Sequence, residues 1–282
     1  MQPALVPPEA LDTTTFIGLA TQTWLWLGSA LLFLGCLAIF FYGERRTEDE
    51  EDHLMVHGLV CAIAGTLYFA MASGVADATL ATGRNFDFGR YVDWSLTTPL
   101  LLYGLALTAM HGRIFRKGVL ISLIGFDILM IATGLIAGFL PNEETGLKFA
   151  AWVLGDVFFL AVLYLIWTTL RREAETRGEV VADVFRRNAT MLTVLWFIYP
   201  IVFIFGHNGL GTWSSATTAG LIVFLDTTAK AVYGLVATYG TKQIIEAECA
   251  GRVNRVENSA LIPEHADTGR GRRPVGEAVP AE

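Results

Sequence analysis

The sequence predicts an all-α membrane protein, a bundle of seven transmembrane helices, and three observations lead to this fold class. Hydrophobic residues make up 53% of the 282 residues, which is too apolar for an ordinary soluble domain of this length. Apolar stretches recur seven times, most of them near the roughly 20 residues that cross a bilayer. Basic residues concentrate in alternate loops, which indicates how the bundle is oriented.

The apolar stretches give the expected helices in chain order. They lie at residues 16–42, 54–80, 89–110, 118–140, 147–170, 188–206 and 216–241. Lys and Arg are frequent after the first, third and fifth stretches, and the positive-inside rule makes those loops cytoplasmic. We therefore expect an extracellular N-terminus, a cytoplasmic C-terminus and a multi-pass location in the cell (inner) membrane.

One domain is expected, with a short segment at each end. Residues 16–245 form the helical domain. Residues 1–15 lack the basic start of a secretory signal, so they are expected to be an extracellular segment that is translocated without cleavage, although a pro-peptide is the alternative. Residues 246–282 are polar and rich in Gly, Pro and charge, which predicts a disordered cytoplasmic tail.

Cysteine usage and charge exclude several classes of function. The three cysteines are odd in number, far apart and without neighbouring His, so neither a disulfide framework nor a metal site is expected. The net charge of −7 argues against a nucleic-acid partner. The expected surroundings are membrane lipid.

Lys230 lies near the centre of the last apolar stretch and needs an explanation. A Lys at this depth costs about 2.5–3.5 kcal/mol on insertion scales. Asp226 lies one helical turn earlier, so both side chains share one face and the carboxylate can offset the positive charge. A structural buried ion pair is one reading, and a functional amine is the other.

Two further sets of residues favour a functional amine. Arg90, Asp93 and Thr97 fall on one face of the third helix. Two carboxylates, one guanidinium and the amine of Lys230 could therefore form a nearly balanced cluster of charges. Aromatic side chains recur at helical spacing in the fifth and sixth helices, a pattern also typical of core packing. Pro99 and Pro200 would kink their helices and open space beside the aromatic side chains. Aromatic walls, kinks and an amine together suggest a long conjugated ligand.

At this point the chain resembles the microbial rhodopsins, over nearly its whole length from about Thr15 to Tyr239. Three motifs in the family's order carry the likeness: Arg90–Trp94 with Thr97-Thr98-Pro99, Trp196–Pro200, and Asp226–Lys230. The resemblance implies all-trans retinal bound covalently to Lys230 as a Schiff base. It implies Asp93 and Asp226 as counterions, with Asp93 as the proton acceptor.

The resemblance also implies the surroundings of the retinal. The residues of the counterion network are Arg90, Thr97, Tyr68 and Tyr199. The residues of the retinal pocket are Trp94, Thr98, Leu101, Asp127, Trp152, Gly155, Phe159, Trp196, Pro200 and Phe203. Because the family often has Trp where Phe203 stands, the pocket is expected to be looser there. Trp152 stands where carotenoid-binding members have glycine, so no carotenoid antenna is expected.

The chain departs from the family's pattern at Gly104. Bacteriorhodopsin-like pumps carry a carboxylate there, which returns a proton from the cytoplasmic side, so the usual donor is absent. The combination of Asp93, Thr97 and Gly104 is similar to the Asp-Thr-Gly subgroup of proton pumps. His57 lies eleven residues before Tyr68 and on the same face, so it is a candidate for the uptake path. A histidine merely hydrogen-bonded at a helix end is the other interpretation.

The expected function is a light-driven outward proton pump of the bacteriorhodopsin and proteorhodopsin type, a transporter and not an enzyme. Asp93 argues against a chloride pump and against a sodium pump, since the sequence patterns of both kinds of pump have a different residue in place of this aspartate. The alternative is a photosensory rhodopsin that signals to a partner protein, because a missing donor is common in sensors. A light-gated channel has less support, since the helices lack a continuous polar stripe. A homo-oligomer is expected.

Overall fold

A computed structural model describes residues 19–79, 85–111, 116–141 and 144–253, and it contains seven long helices and one short hairpin in this part of the chain. The helices are α1 (Thr21–Tyr42), α2 (Glu48–Ala72), α3 (Phe88–Ala109), α4 (Lys117–Phe139), α5 (Thr145–Glu175), α6 (Glu179–Phe205) and α7 (Ser215–Cys249). The predicted all-α bundle is confirmed, apart from the strands β1 (Ala78–Thr79) and β2 (Asn85–Phe86).

The helices form a closed ring in which consecutive helices pack against each other and α7 returns to α1. Six of the seven are long and apolar enough to cross a membrane. The exception is α3, which carries Arg90 and Asp93 and has 22 residues. Large apolar side chains such as Phe41, Ile121 and Phe224 are exposed around the ring, which suits contact with lipid chains.

Two helices contain a π-helical turn. In α5 the turn is Ile166–Leu170, and in α7 it is Thr228–Val232. A π turn inserts an extra residue into the regular hydrogen-bond ladder, and such turns are frequent at functional sites. The second turn has Lys230 at its centre, so the backbone is irregular where the buried amine leaves the helix.

The ends of several helices lie beyond the predicted apolar stretches. Helix α2 begins at Glu48, where the Thr47 hydroxyl accepts a hydrogen bond from the Glu50 amide, and four acidic residues complement the helix dipole. Helix α7 continues to Cys249, past the domain end expected at residue 245. Apolar stretches record only the part of a helix that lies in lipid, whereas capped ends continue into water. The expected segments at residues 1–15 and from residue 254 onward lie outside the described residues.

The hairpin between α2 and α3 covers one end of the bundle. The second apolar stretch was predicted to reach residue 80, but the helix ends at Ala72. Beyond the helix, Ala78 pairs with Phe86 in an antiparallel ladder. The Phe86 ring is fully buried, and its centroid lies 4.4 Å from that of Phe139 and 5.4 Å from that of Tyr91. The hairpin thereby anchors the start of α3, the helix that carries Arg90 and Asp93.

Candidate functional site: a buried lysine, two aspartates and an aromatic cavity

Lys230 lies in the centre of the bundle, against carboxylates from two helices. Its side chain is 2% exposed, and those of Asp93 and Asp226 are at most 1% exposed. The Nζ atom donates a hydrogen bond to Asp93 Oδ2 and lies 3.4 Å from Asp226 Oδ2. The structure therefore brings together the three residues that the sequence placed on α3 and α7.

Asp226 is held by hydrogen bonds from three other helices. The hydroxyl of Tyr68 donates to Oδ2 at 2.6 Å, and that of Tyr199 donates to Oδ1 at 2.6 Å. The Trp94 indole N–H also donates to Oδ1, at 3.2 Å. Three neutral donors therefore converge on the Asp226 carboxylate and fix its position.

Asp93 has a simpler environment. The Thr97 hydroxyl, one turn further along α3, lies 2.8 Å from the Asp93 backbone carbonyl and 3.3 Å from Asp93 Oδ1. A hydroxyl has one hydrogen to share between these two acceptors. In the described part of the chain, the firm partner of the Asp93 carboxylate is therefore Lys230 itself. Of the two aspartates, Asp93 accepts fewer hydrogen bonds from residues other than Lys230.

Arg90 is buried but does not join the two aspartates directly. Its guanidinium Nη2 lies 3.3 Å from Asp87 Oδ2, on the side away from Lys230. Within the described residues it makes no ion pair with Asp93 or Asp226. Tyr68, Tyr199 and Thr97 thus contact the two aspartates. Arg90 instead contacts Asp87, whose side chain is 27% exposed.

An aromatic cavity lies beside this cluster, between α3, α4, α5, α6 and the first turns of α7. It encloses about 980 Å³ of empty space, a volume that includes its open mouth. Eight of the ten predicted pocket residues line it: Trp94, Thr98, Trp152, Gly155, Phe159, Trp196, Pro200 and Phe203. The cavity also touches Tyr199, so it reaches the side chains that hold Asp226 next to Lys230.

Two predicted pocket residues do not line the cavity. Leu101 is 1% exposed and packs in the core, and Asp127 is fully buried on α4. Asp127 nevertheless supports the wall, because its Oδ2 accepts a hydrogen bond of 2.7 Å from the hydroxyl of Thr98, which does line the cavity. The expected link between α3 and α4 is present.

Gly104 and His57 meet on the other side of Lys230, towards the end of the bundle where α2 begins. A Cβ atom at Gly104 would lie 3.0 Å from His57 Cε1, so the glycine allows the imidazole to pack against α3. The His57 ring is fully buried and lies edge-on to Tyr233, with 5.5 Å between centroids. Neither ring nitrogen has a hydrogen-bond partner among the described residues.

The sequence assigned no role to several other residues that lie near the site. Asp87 lies just before α3 and pairs with Arg90 across one turn. His53 lies one turn before His57, a spacing that could have indicated it. Asp156, Asn208 and Thr218 also line the cavity.

Comparison with known proteins gives a consistent result. The family model described as bacteriorhodopsin-like protein matches residues 19–244. Archaerhodopsin-2 of Halobacterium sp. (strain aus-2) is 36% identical over 76% of this chain and 82% of its own. The crystal structure of thermophilic rhodopsin from Rubrobacter xylanophilus is 33% identical, with a TM-score of 0.74, and covers 79% of this chain and 97% of its own. A light-driven proton pump, Coccomyxa subellipsoidea rhodopsin, is 27% identical, with a TM-score of 0.70, and covers 78% of this chain and 96% of its own.

Proposed function

The chain belongs to the bacteriorhodopsin-like family, and from this premise we propose that it is a light-driven outward proton pump that works without a cytoplasmic carboxylate donor. The observation that carries the proposal is the direct contact between Lys230 Nζ and Asp93, with Asp226 as a second carboxylate. A proton on Lys230 Nζ thus has a direct acceptor in Asp93. Asp93 in turn lies about one helical turn from Arg90 on α3.

Family membership itself establishes the cofactor class and the setting. Bacteriorhodopsin-like proteins bind retinal covalently through a lysine Schiff base, and they are multi-pass proteins of the cell membrane. They are light-driven transporters and not classical enzymes. The predictions of a retinal cofactor and of a membrane location are therefore confirmed.

The residues of this chain suit such a cofactor. Lys230 is a buried amine in a helix that has no other lysine near the bundle centre, and we propose it as the attachment site. The aromatic walls formed by Trp94, Trp152 and Trp196 would hold an elongated apolar molecule. Bound retinal supplies the absorption of light and the change of shape that drives the cycle.

The protein's own groups then divide the work of proton transfer. Asp93 accepts the proton from Lys230 Nζ, because its carboxylate has few other donors and the transfer removes two opposite charges from a low-dielectric interior. Thr97 holds Asp93 in both states through its hydroxyl. Asp226 is held in place as the second carboxylate by hydrogen bonds from Tyr68 and Tyr199.

Release would then run outward along Arg90. Once Asp93 is neutral, the guanidinium loses part of the negative charge that attracts it inward, and its existing contact with Asp87 favours the outward position. The outward direction rests on the positive-inside rule: Arg46, Arg116 and Arg171 lie at the end of the bundle opposite Arg90. We assign that opposite end to the cytoplasm.

Return of the proton would pass Gly104 and His57. With Asp93, Thr97 and Gly104, the chain has the pattern of the Asp-Thr-Gly subgroup, to which we assign it. A buried imidazole with both nitrogens unpartnered in the described residues has the hydrogen-bonding capacity for a relay. His57→Ala should alter the rate or the pH dependence with which Lys230 Nζ regains its proton, and an unchanged photocycle from mildly acid to alkaline pH would remove His57 from the path.

We also propose that no carotenoid antenna operates in this protein. The Trp152 indole stacks on Phe149 with 5.4 Å between centroids and forms part of the cavity wall, where a carotenoid would need an opening. Energy transfer from a bound carotenoid to retinal, measured by excitation spectroscopy, would contradict this.

The pump is tested by illuminating cells that express the protein with retinal while external pH is recorded. Sustained acidification that an uncoupler abolishes is expected. A photosensor is the alternative that the missing donor at Gly104 favours, and a coloured protein that gives no sustained pH change would support it instead.

A further inference from the structure

A second polar cluster lies at the proposed cytoplasmic end, where α2 begins and where α3 and α7 end. Asp49, His53, His111 and Glu248 compose it, and we name it the inner histidine cluster. The His111 side chain is only 2% exposed, whereas those of Asp49 and Glu248 are 23% and 12% exposed. The carboxylates therefore meet water, and the imidazoles lie behind them.

His111 lies between the two carboxylates. Its Nε2 is 3.3 Å from Glu248 Oε1, and its Nδ1 is 3.9 Å from Asp49 Oδ2. These are ion-pair distances and not hydrogen bonds, so a protonated His111 would carry its charge between carboxylates from two different helices. The site can thus hold a proton that arrives from the surface by way of either carboxylate.

His53 lies deeper on α2 and can be hydrogen-bonded in both of its charge states. Its Nδ1 is 2.9 Å from the Asp49 carbonyl, which only accepts, so Nδ1 carries a hydrogen. Its Nε2 is 3.1 Å from Thr108 Oγ1, which is also 3.2 Å from the Gly104 carbonyl. The hydroxyl can donate to a neutral His53, or it can accept from a protonated His53 and donate to Gly104.

His57 is the next histidine along α2 from His53. The two rings lie one helical turn apart on α2, with 6.2 Å between centroids. The charges that act on His53 come from His111, Asp49 and Asp52. Both His57 nitrogens lack a partner in the described chain, so the imidazole beyond His53 is free to take part in a relay.

A metal site does not explain the cluster. Within the described ranges, no three His, Cys, Asp or Glu side chains converge closely enough to hold a metal ion. A purely structural ion pair would account for His111 and Glu248, but it would not require His53 and Thr108 to continue the contacts towards His57.

We propose that the inner histidine cluster collects protons from the cytoplasm and passes them through His53 to His57, in place of the absent carboxylate donor. One proton enters from bulk water. His53 accepts it and gives it up at Nε2, because Nδ1 already donates to the Asp49 carbonyl, and one proton reaches Lys230 Nζ. No electron is transferred. The proposal rests on the proposed pump function and names the residues of its uptake path.

The first test follows the return of the proton to Lys230 Nζ by flash photolysis of the retinal-bound, full-length protein, as recovery of the visible band. His111→Gln and Glu248→Gln should slow recovery several-fold at neutral pH. Glu175→Gln is the matched control, since Glu175 is an exposed acid at the same end and pairs with Arg171, away from the cluster. Sodium azide, a small weak acid that carries protons past the cluster, should restore the rate.

Recovery as fast as in the unmodified protein would overturn the proposal, and so would slowing that azide does not reverse, because that would mark a structural defect. If His111→Gln forms no coloured protein, Glu248→Gln decides by the same criteria.

The second test needs no light. Ring-nitrogen resonances of ¹⁵N-labelled histidine are recorded in the dark at fixed pH. The His111 resonances should move in Glu248→Gln and stay in place in Glu175→Gln. Resonances that stay in place in both variants would show that the cluster does not exist in the membrane.

The two proposals fail in different ways. If the unmodified protein gives no light-driven acidification, the pump function fails. If the protein pumps and the visible band of Glu248→Gln recovers at the normal rate, the proposed pump function is retained. The inner histidine cluster is then excluded from proton uptake.

Discussion

The two halves of the proposed proton path differ in how their polar groups are arranged. On the outer side of Lys230, two aspartates, two tyrosines and a tryptophan form a continuous set of contacts. On the inner side, Gly104 faces an imidazole whose nitrogens have no partner in the described chain. The outer half is organised to hold separated charges in place, whereas the inner half offers one unpartnered imidazole packed against a glycine. Proton return is therefore expected to be the slower step.

Removal of Lys230 should give the largest effect. Lys230→Met leaves two buried carboxylates without their cation, so it should abolish the coloured form and lower the unfolding free energy of the apoprotein by about 3–5 kcal/mol. The added change Asp93→Asn should recover much of that loss. Denaturant unfolding of the retinal-free proteins measures both, and a double variant no more stable than the single one would show that the charges are not coupled.

Asp93→Asn should come next. It keeps the size of the side chain but removes the acceptor, so the light-driven pH change should fall by a factor on the order of 100 or more while a coloured protein still forms. Asp183→Asn, an exposed change that breaks a surface pair with Arg186, is the control and should pump normally. Undiminished pumping by Asp93→Asn would assign acceptance to another group.

A smaller effect is expected in the inner half. The methyl group of Gly104→Ala would press on the His57 ring, so proton return should slow several-fold and stability should fall by about 1–3 kcal/mol. Gly125→Ala on α4 meets no neighbouring atom within 4 Å, so it should add roughly 0.5–1 kcal/mol through helix propensity and leave the photocycle unchanged. Flash photolysis measures proton return and denaturant unfolding measures stability in the two variants. If both variants had the same photocycle, the contact between Gly104 and His57 would not matter for proton return.

The smallest effect concerns the loop between α1 and α2. Lys242 donates a hydrogen bond to Glu44 at 2.5 Å, and this contact holds the pKa of Glu44 below its usual range. A carboxyl group whose pKa is lowered by folding stabilises the fold at pH values above its ordinary pKa. That contribution is lost as the pH falls through the lowered pKa. Glu44→Gln should therefore be slightly less stable than the unmodified protein at pH 7 and equally stable in strong acid. A difference that persists in acid would exclude this cause.

Much of the fold and of the charged centre could be predicted from the sequence, because both depend on local periodicity. Seven apolar stretches identified the helices, and the spacing from Asp226 to Lys230 placed both on one face of α7. The boundaries were less accurate, since capping and charged turns extend helices such as α2 and α7 beyond the apolar stretch. The hairpin of β1 and β2 has too few residues to give a pattern.

Sequence by itself determined the buried amine and the two carboxylates that could balance it, because a charge in lipid must be matched by groups at fixed helical spacing. The resemblance to the microbial rhodopsins added the expectation of a proton donor where Gly104 stands. Tertiary structure alone decided that Arg90 pairs with Asp87, that Leu101 packs away from the cavity, and that His57 meets Gly104. These contacts join residues from different turns or helices. Periodicity fixes which residues share a face, but only the packing of the helices decides which faces meet.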